Sequence, residues 1–406
     1  MPVEVLRCRI CESEYPAVAN GICARCFGPL EPVYDWETLA RTVTRERIEA
    51  GPMSLWRYAD LLPAHPPEDS DRGPGFTPLV PAPRLAAALG IGEVFLKLDL
   101  SNPTHSFKDR VVAVAAAKAT EFGLDTLSAT STGNLANAVA ARAAAMGKRA
   151  LIFCPAGLET EKVRATTIYG ATIYAVHGSY DDCSRLVSEL AGEVDWGIVN
   201  VNLRSYYAEG SKTLAFEICE QLGWEAPDAV VMPIGSGAMF TKVWLGFDQF
   251  RRLELSHGPV PKLFGGQAEG CAPVASAFAE ERRVTPVRPQ SQVSSIAIGN
   301  PADGDLTVQR AKESGGGIYS VPEDEVGENI ALLAETAGIF GEGATGCAVG
   351  ALREAVARGQ VGPEDRVVVL VTGTGLKTPK LADATGAVVE IEPDADALLD
   401  ELGVTA

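Results

Sequence analysis

The segment Asn102-Pro103-Thr104-His105-Ser106-Phe107-Lys108-Asp109-Arg110 joins an apolar run at 94–98 to a helix-like run that opens at Val111. A strand-to-helix junction favours small capping residues such as Ser106, so a long cation there is unusual. Lysine gains a chemical use in such a place when it is desolvated. Its pKa then falls, and the neutral amine attacks a carbonyl to form a Schiff base. Read alone, Lys108, Asp109 and Arg110 serve equally well as a solvated helix start with ordinary ion pairs.

Three further turns carry polar groups suited to a ligand. Ser131-Thr132-Gly133-Asn134 follows the run 127–130 and precedes a long Ala-rich stretch, so hydroxyls, an amide and backbone N–H groups converge there. Gly235-Ser236-Gly237-Ala238-Met239 follows Val230-Val231-Met232-Pro233-Ile234 and opens another helix. Glycines allow close backbone approach, and a helix N-terminus offers free N–H donors to an anion, most simply a phosphate. The run 367–371 leads into Thr372-Gly373-Thr374-Gly375-Leu376-Lys377, where the Thr372 hydroxyl can face a ring nitrogen without carrying charge. Each turn by itself is also a plain Gly-rich connection, with Lys377 solvated, and none matches the P-loop or dinucleotide pattern in full.

Four of the nine cysteines cluster at the start as Cys8-x-x-Cys11 and Cys23-x-x-Cys26, among turn residues Gly21, Gly28 and Pro29. Two such knuckles aim four thiolates at one point, which suits a tetrahedral, structural zinc, and the segment is too poor in apolar residues to fold by itself. The spacing between the pairs is shorter than the usual ribbon range, and two surface turns binding nothing is the alternative. The remaining cysteines lie singly in apolar or helical contexts, as reduced structural thiols do.

The elements that must position these groups show in the hydropathy pattern. Beyond a mixed segment at 34–72, with Trp36, Trp56 and Tyr58 as anchors, and an irregular Pro- and Gly-rich connector at 61–83, apolar runs alternate with amphipathic stretches. The runs 94–98, 127–130, 150–154, 172–176, 197–201 and 229–233 are followed by helical patterns at 111–122, 135–146, 162–168, 180–193, 208–222 and 240–253. Such repetition predicts parallel sheets covered on both faces, with ligands at the carboxyl ends of the strands. The length of 406 residues allows two to three domains, and a net charge of −18 argues against nucleic acid or an anionic membrane as partner. No stretch of 18 uncharged apolar residues and no signal-peptide pattern is present, so the expected compartment is the cytoplasm.

A Schiff-base lysine, a phosphate cradle, an Asn for a phenolic oxygen and a hydroxyl for a pyridine nitrogen together specify pyridoxal 5′-phosphate. The conjunction also resembles a family, threonine synthase, in the tryptophan-synthase-β-like group (fold type II) of pyridoxal-phosphate enzymes. The resemblance runs from the cysteine knuckles through the segment 102–110, Ser131-Thr-Gly-Asn134, Tyr207-Ala-Glu-Gly-Ser-Lys-Thr213, Gln267-Ala-Glu-Gly270, Ala297-Ile-Gly-Asn-Pro301 and Thr372-Gly-Thr-Gly-Leu-Lys377. It implies an α/β chain of two doubly wound parallel-sheet domains: a small one at 111–205, inserted into a large one at 35–110 and 206–406, after a zinc-ribbon-like segment at 1–34. It also implies a homodimer.

Carried over position by position, the resemblance makes Lys108 the cofactor's anchor and proton shuttle. Asn134 faces the 3′ oxygen, Gly235, Ser236, Gly237, Ala238 and Met239 the phosphate, and Thr372 the pyridine nitrogen. Ser131, Thr132 and Gly133 receive the substrate carboxylate. The implied reaction takes O-phospho-L-homoserine and water to L-threonine and phosphate. Two departures concern the leaving phosphate: His105 stands where a glycine is common, and Tyr207 where the family has an arginine associated with that phosphate. Arg204, and His105 if protonated, are the candidate substitutes. A cysteate-synthase-like replacement on O-phosphoserine is the nearest alternative, and a threonine or serine dehydratase a weaker one. A catalytically dead, ligand-sensing homologue or a zinc-dependent interaction module stands opposed by Lys108, Asn134 and Thr372. Glu342, opening Gly343-Ala344-Thr345-Gly346, is equally a cleft-lining carboxylate and an uninvolved helix entry.

Overall fold

The computed structural model describes residues 3–68 and 73–402; residues 69–72 of the expected connector lie outside it. Three sheets organise the chain. The first is a small antiparallel one, ordered β2-β1-β3, from β1 (Val5–Cys8), β2 (Glu14–Pro16) and β3 (Leu30–Pro32). Its alternation buries Leu6 and Cys8 and exposes Arg7. The segment lacks a core of its own, and Leu6, Cys8, Cys23 and Leu30 instead join a cluster with Val111, Val112, Leu127 and Tyr206.

The largest sheet has six strands. They are β4 (Leu79–Pro81), β5 (Glu93–Leu98), β10 (Ala229–Pro233), β11 (Lys262–Ala268), β12 (Gly317–Val321) and β13 (Arg366–Val371). Their order is β12-β11-β10-β13-β5-β4. All neighbours run parallel except β4, which lies antiparallel on the edge. β10 is buried throughout and β13 in all but its first residue, as strands covered on both faces must be. The helix Gly343–Ala357 lies so close on one face that a Cβ on Gly266 of β11 would meet the Cys347 carbonyl oxygen at 2.0 Å. The third sheet, β8-β7-β6-β9, is all parallel and comprises β6 (Thr126–Thr130), β7 (Arg149–Pro155), β8 (Thr172–Val176) and β9 (Gly197–Ile198).

Two expected elements end differently. The strand expected over 197–201 stops at Ile198, because the Asn202 side chain accepts the Ile198 N–H at 2.9 Å and donates to the Trp196 carbonyl at 2.9 Å, turning the chain. The helix expected over 208–222 starts earlier, as Arg204–Glu209, and tightens into a 3₁₀ turn, Gly210–Lys212, before continuing as Thr213–Gln221. At the tight turn Gly210 packs onto the backbone of Arg110, where a Cβ would come within 2.7 Å of its carbonyl oxygen.

That contact fixes the start of the helix Lys108–Glu121 from behind. Fully buried Arg110 donates to Asp99 at 2.7 and 2.8 Å, to Thr77 and Thr213 at 3.0 Å, and to both carboxylate oxygens of Glu217. Lys97, also fully buried, completes a balanced set of two cations and two carboxylates with a 2.6 Å contact to Glu217. A buried charge cluster persists when every charge is paired and hydrogen-bonded, as here.

Candidate active site

The exits of β5, β13 and β10 lie on one edge of the large sheet, since Leu98 pairs with Val371 and Val369 with Val231 in parallel register. The three loops singled out in the sequence on this sheet are those exits. The Phe107 N–H donates to the Thr372 carbonyl at 2.9 Å, and the Thr374 N–H to the His105 carbonyl at 3.2 Å, so the lysine loop is stitched to the β13 exit. Asp109 closes the loop from within, accepting from the Thr104 N–H at 2.8 Å and its hydroxyl at 2.9 Å. Burial pushes the Asp109 carboxyl up to about 6, against those bonds and the nearby Lys377 and Arg142 charges.

Lys108 is half-buried at the first position of its helix. Its Nζ lies 3.3 Å from the Tyr207 hydroxyl and 4.5 Å from the centre of the Phe107 ring. Among the described residues no carboxylate forms an ion pair with it. Tyr207 thus places a phenol against the lysine.

Asn134 opens the helix Asn134–Ala145 at the end of β6 and reaches across to the large sheet. Its Nδ2 donates to Glu342 Oε2 at 2.8 Å, and its Oδ1 accepts from Lys377 Nζ at 2.8 Å. The other Glu342 oxygen accepts from the Thr372 hydroxyl at 3.1 Å. Asn134 and Thr372, 238 residues apart (372 − 134), therefore meet at one buried carboxylate. Burial raises the Glu342 carboxyl above its ordinary range, against the bonds from Asn134 and Thr372 and the charges of Lys377 and Lys108. Local pattern assigns neither Glu342 nor Lys377: a glutamate at a Gly-rich helix entry is as often uninvolved as cleft-lining, and a lysine closing a surface turn is ordinarily solvated. Lys377 is instead half-buried, with its pKa lowered by burial against the pull of Glu342 and Asp109.

Ser131 turns its hydroxyl inward to accept from the N–H groups of Gly133 at 3.3 Å and Ala136 at 3.1 Å. Thr132 and Gly133 are half-exposed, and nothing lies within 4 Å of where a Cβ on Gly133 would stand, so this helix N-terminus faces open space. The Gly235–Met239 turn precedes the helix Ala238–Arg252. Gly237 has φ +88°, and a Cβ there would meet the Thr307 hydroxyl at 2.3 Å and the Asp303 backbone at 3.0 Å, so only glycine fits. Asp303 was missed in the sequence. Its backbone N–H donates to the Ser236 carbonyl at 3.0 Å, and its carboxylate pairs with Arg204 at 2.6 Å and Arg9 at 3.0 Å. Arg204 is thus engaged behind the turn. His105 is exposed, with φ +59°, a left-handed conformation that favours glycine, and its Nδ1 lies 3.3 Å from the Leu100 carbonyl oxygen.

The donor set fits pyridoxal phosphate. An amide and a hydroxyl meet at Glu342, an amine with no ion pair among the described residues stands on the loop bonded to Thr372, and a helix N-terminus built on a glycine no other residue can replace lies on the same sheet edge. The buried hydroxyls of Ser106 and Thr130, one in the lysine loop and one at the exit of β6, find no partner among the described residues.

The cysteine cluster fits zinc. The four Sγ atoms lie within 4.8 Å of one another, with Cys8–Cys26, Cys11–Cys26 and Cys11–Cys23 at 3.4, 3.4 and 3.6 Å. Those separations are close to the roughly 3.8 Å edge of a tetrahedron with ~2.3 Å metal–sulfur bonds. Burial raises the Cys23 thiol, but the Tyr15 hydroxyl and the N–H groups of Cys26 and Arg25 outweigh it and bring it down to about 6, while at Cys26 the Gly28 N–H is outweighed by hydrogen bonds with Cys11 and Cys8 that push its thiol up.

Comparison with known proteins gives the family. The family model described as pyridoxal-phosphate dependent enzyme matches residues 71–373. The chain is 33% identical over 400 residues to the threonine synthase of Methanocaldococcus jannaschii, covering 97% of this chain and 98% of the relative. It is 36% identical over 335 residues to the threonine synthase of Synechocystis, covering 81% of this chain and 85% of that one. Among solved structures it resembles diaminopropionate ammonia lyase of Escherichia coli, with a TM-score of 0.65 at 19% identity, covering 83% of this chain and 91% of that one.

Proposed function

The chain belongs to the pyridoxal-phosphate dependent enzymes, and on that premise we propose that it is a threonine synthase, converting O-phospho-L-homoserine and water to L-threonine and phosphate. The observation that carries the reading is the similarity to a threonine synthase along 97% of the chain and 98% of that relative. Bound in this site, pyridoxal phosphate supplies an electron sink for the charge that develops on the substrate carbon skeleton.

The chain's own residues hold and aim the reactants. Lys108, without a paired carboxylate, anchors the cofactor and then carries protons between the substrate's α and β carbons. The Tyr207 hydroxyl at 3.3 Å orients its amine. Asn134 takes the 3′ oxygen, the Thr372 hydroxyl the ring nitrogen, and the N–H groups of the Gly235–Met239 turn the phosphate. Ser131, Thr132 and Gly133 bind the substrate carboxylate at the open helix N-terminus. His105 is our candidate for the substrate's leaving phosphate, and Arg204 reaches that group only by leaving Asp303. Zinc in the Cys8, Cys11, Cys23, Cys26 cluster holds the N-terminal ribbon together. The reading carries with it a homodimer in the cytoplasm; no helix among the described residues is long and apolar enough to cross a membrane.

The test is to supply cofactor-loaded protein with O-phospho-L-homoserine and identify the amino acid formed with released phosphate. Threonine is expected. Cysteate from O-phosphoserine and sulfite, with no threonine, would overturn the assignment.

A further inference from the structure

The amide of an asparagine is nearly symmetric in shape, and its neighbours decide which end faces a ligand. At Asn134 both neighbours are unambiguous. An ammonium only donates, so Lys377, 2.8 Å from Oδ1, fixes the oxygen on its own side. Glu342, 2.8 Å from Nδ2, fixes the nitrogen on the other. One Nδ2 proton is then committed to Glu342, and the second remains for a ligand acceptor. Reversed, the amide would set its oxygen against the negatively charged phenolic oxygen of the cofactor.

Lys377 is itself held in place. It ends the 3₁₀ turn Gly375–Lys377, anchored by the Gly375 N–H to the Phe340 carbonyl at 2.9 Å and by the Thr374 hydroxyl accepting the Leu376 N–H at 3.3 Å. A second proton of its ammonium goes to the Thr104 carbonyl at 2.5 Å, four residues before Lys108. The one cation therefore bridges the lysine loop, on the large sheet, to the first residue of a helix on the four-stranded sheet.

We propose that Lys377 is a positioning residue of the cofactor site, which fixes the Asn134 amide with its N–H toward the cofactor's 3′ oxygen and ties that helix to the Lys108 loop. The inference rests on reading the site as one for pyridoxal phosphate. It concerns how the site is ordered before substrate arrives, so its signature is in the cofactor and not only in turnover.

The experiment is a double-mutant cycle of Lys377→Met and Asn134→Ala, read without substrate by titrating pyridoxal phosphate into the purified full chain. The dissociation constant and the pH dependence of the visible band are recorded. Lys377→Met should weaken cofactor binding about tenfold, the loss expected for one charge-assisted contact, and should shift the midpoint of the band's pH titration. On the Asn134→Ala background it should add nothing, because the amide it orients is gone. Lys377→Arg, which keeps donors only, should recover most of the affinity, and Lys377→Gln, which admits either amide orientation, should not; this pair carries the test if the methionine variant does not fold. Wild-type affinity with an unshifted band in Lys377→Met, or full additivity with Asn134→Ala, would overturn the proposal. A wild-type chain that develops no band at all would instead overturn the cofactor reading beneath it.

Discussion

Lys108 and Arg110 stand two residues apart at the start of one helix, and their surroundings are opposite. Two helical residues place them roughly 200° apart around the axis, so they face different sides. Arg110 is fully buried and saturated, with Asp99, Glu217, Thr77 and Thr213 on its donors. Lys108 is half-buried and meets a phenol and an aromatic face. The nearby carboxylates Asp99 and Glu217 are held behind the helix by Arg110 and Lys97, and Asp109, between the two cations, is turned onto Thr104. The difference teaches how a charged protein keeps an amine clear of ion pairs: Asp99, Glu217 and Asp109 are engaged by other partners, and Glu342, near enough to feel the Lys108 charge, is held by Asn134 and Thr372.

Exchanging the fates of the two cations tests this most severely. Lys108→Ala should abolish threonine formation, by at least about 10³-fold, since the reaction loses both its anchor and its base. Its urea midpoint should stay near that of the wild type because no ion pair is lost. Borohydride should no longer fix the cofactor to the chain. Threonine formation at the wild-type rate would remove Lys108 from the chemistry.

Arg110→Met should do the reverse. Removing one member of a buried, hydrogen-bonded charge set leaves Asp99 and Glu217 short of a counter-ion, at about 3–5 kcal/mol. Denaturant unfolding should show that loss, with activity falling only as the folded fraction falls. A variant as stable as the wild type would mean the cluster is not what holds the helix start.

These two residues also mark what was legible beforehand. Parallel strands read as short apolar runs whether buried, as β10 is, or on an exposed edge, as β8 is, so 172–176 and 229–233 match the observed β8 and β10 to the residue, and the chemistry-bearing turns lie at the strand exits. Lys108, Asn134 and Thr372 were recognisable because each sits in a turn whose residue types suit a ligand. Glu342 was legible only as one of two equal readings and Lys377 only as a solvated turn end, because their meaning lies in contacts with Asn134, 208 and 243 residues away. Local pattern cannot distinguish a lysine that crosses a cleft from one in solvent. Asp303 escaped for the same reason, its role being a backbone bond to Ser236 and pairing with Arg9 and Arg204.

A third charged set lies under the N-terminal ribbon and titrates in an accessible range. Glu209 is buried between Lys212 at 2.6 Å and Lys242 at 2.7 Å, with the Tyr34 hydroxyl donating at 2.7 Å. Burial raises its carboxyl, and the two lysines outweigh that and hold it at about 2. A carboxyl depressed on folding contributes stability above its unfolded pKa of about 4.5 and loses that contribution as pH falls toward 2. Glu209→Gln should therefore cost most stability near neutral pH and progressively less on acidification, flattening the acid limb of the unfolding curve. An acid limb as steep as that of the wild type would assign acid sensitivity to other carboxyls.

The smallest effect is expected where the ribbon meets the α/β body. Ser205 donates to the Leu30 carbonyl at 2.6 Å and Tyr206 to the Val18 carbonyl at 2.9 Å, so the helix Arg204–Glu209 carries the ribbon on one side and presents Tyr207 to Lys108 on the other. Zinc removal acts on the reactive amine through that helix and through the cluster that Leu6, Cys8 and Leu30 share with Val111 and Val112, while the Gly210 contact with Arg110 and the Glu209 network hold the helix start independently. Metal analysis should give about one zinc per chain, and chelation or Cys8→Ser should lower the melting temperature while kcat changes by no more than about threefold. If the metal-free chain melts as before, the knuckles are turns that bind nothing. If kcat instead collapses while the body stays folded, the ribbon sets the position of Tyr207, and the amine is ordered from the N-terminal side as well as from the Arg110 cluster behind it.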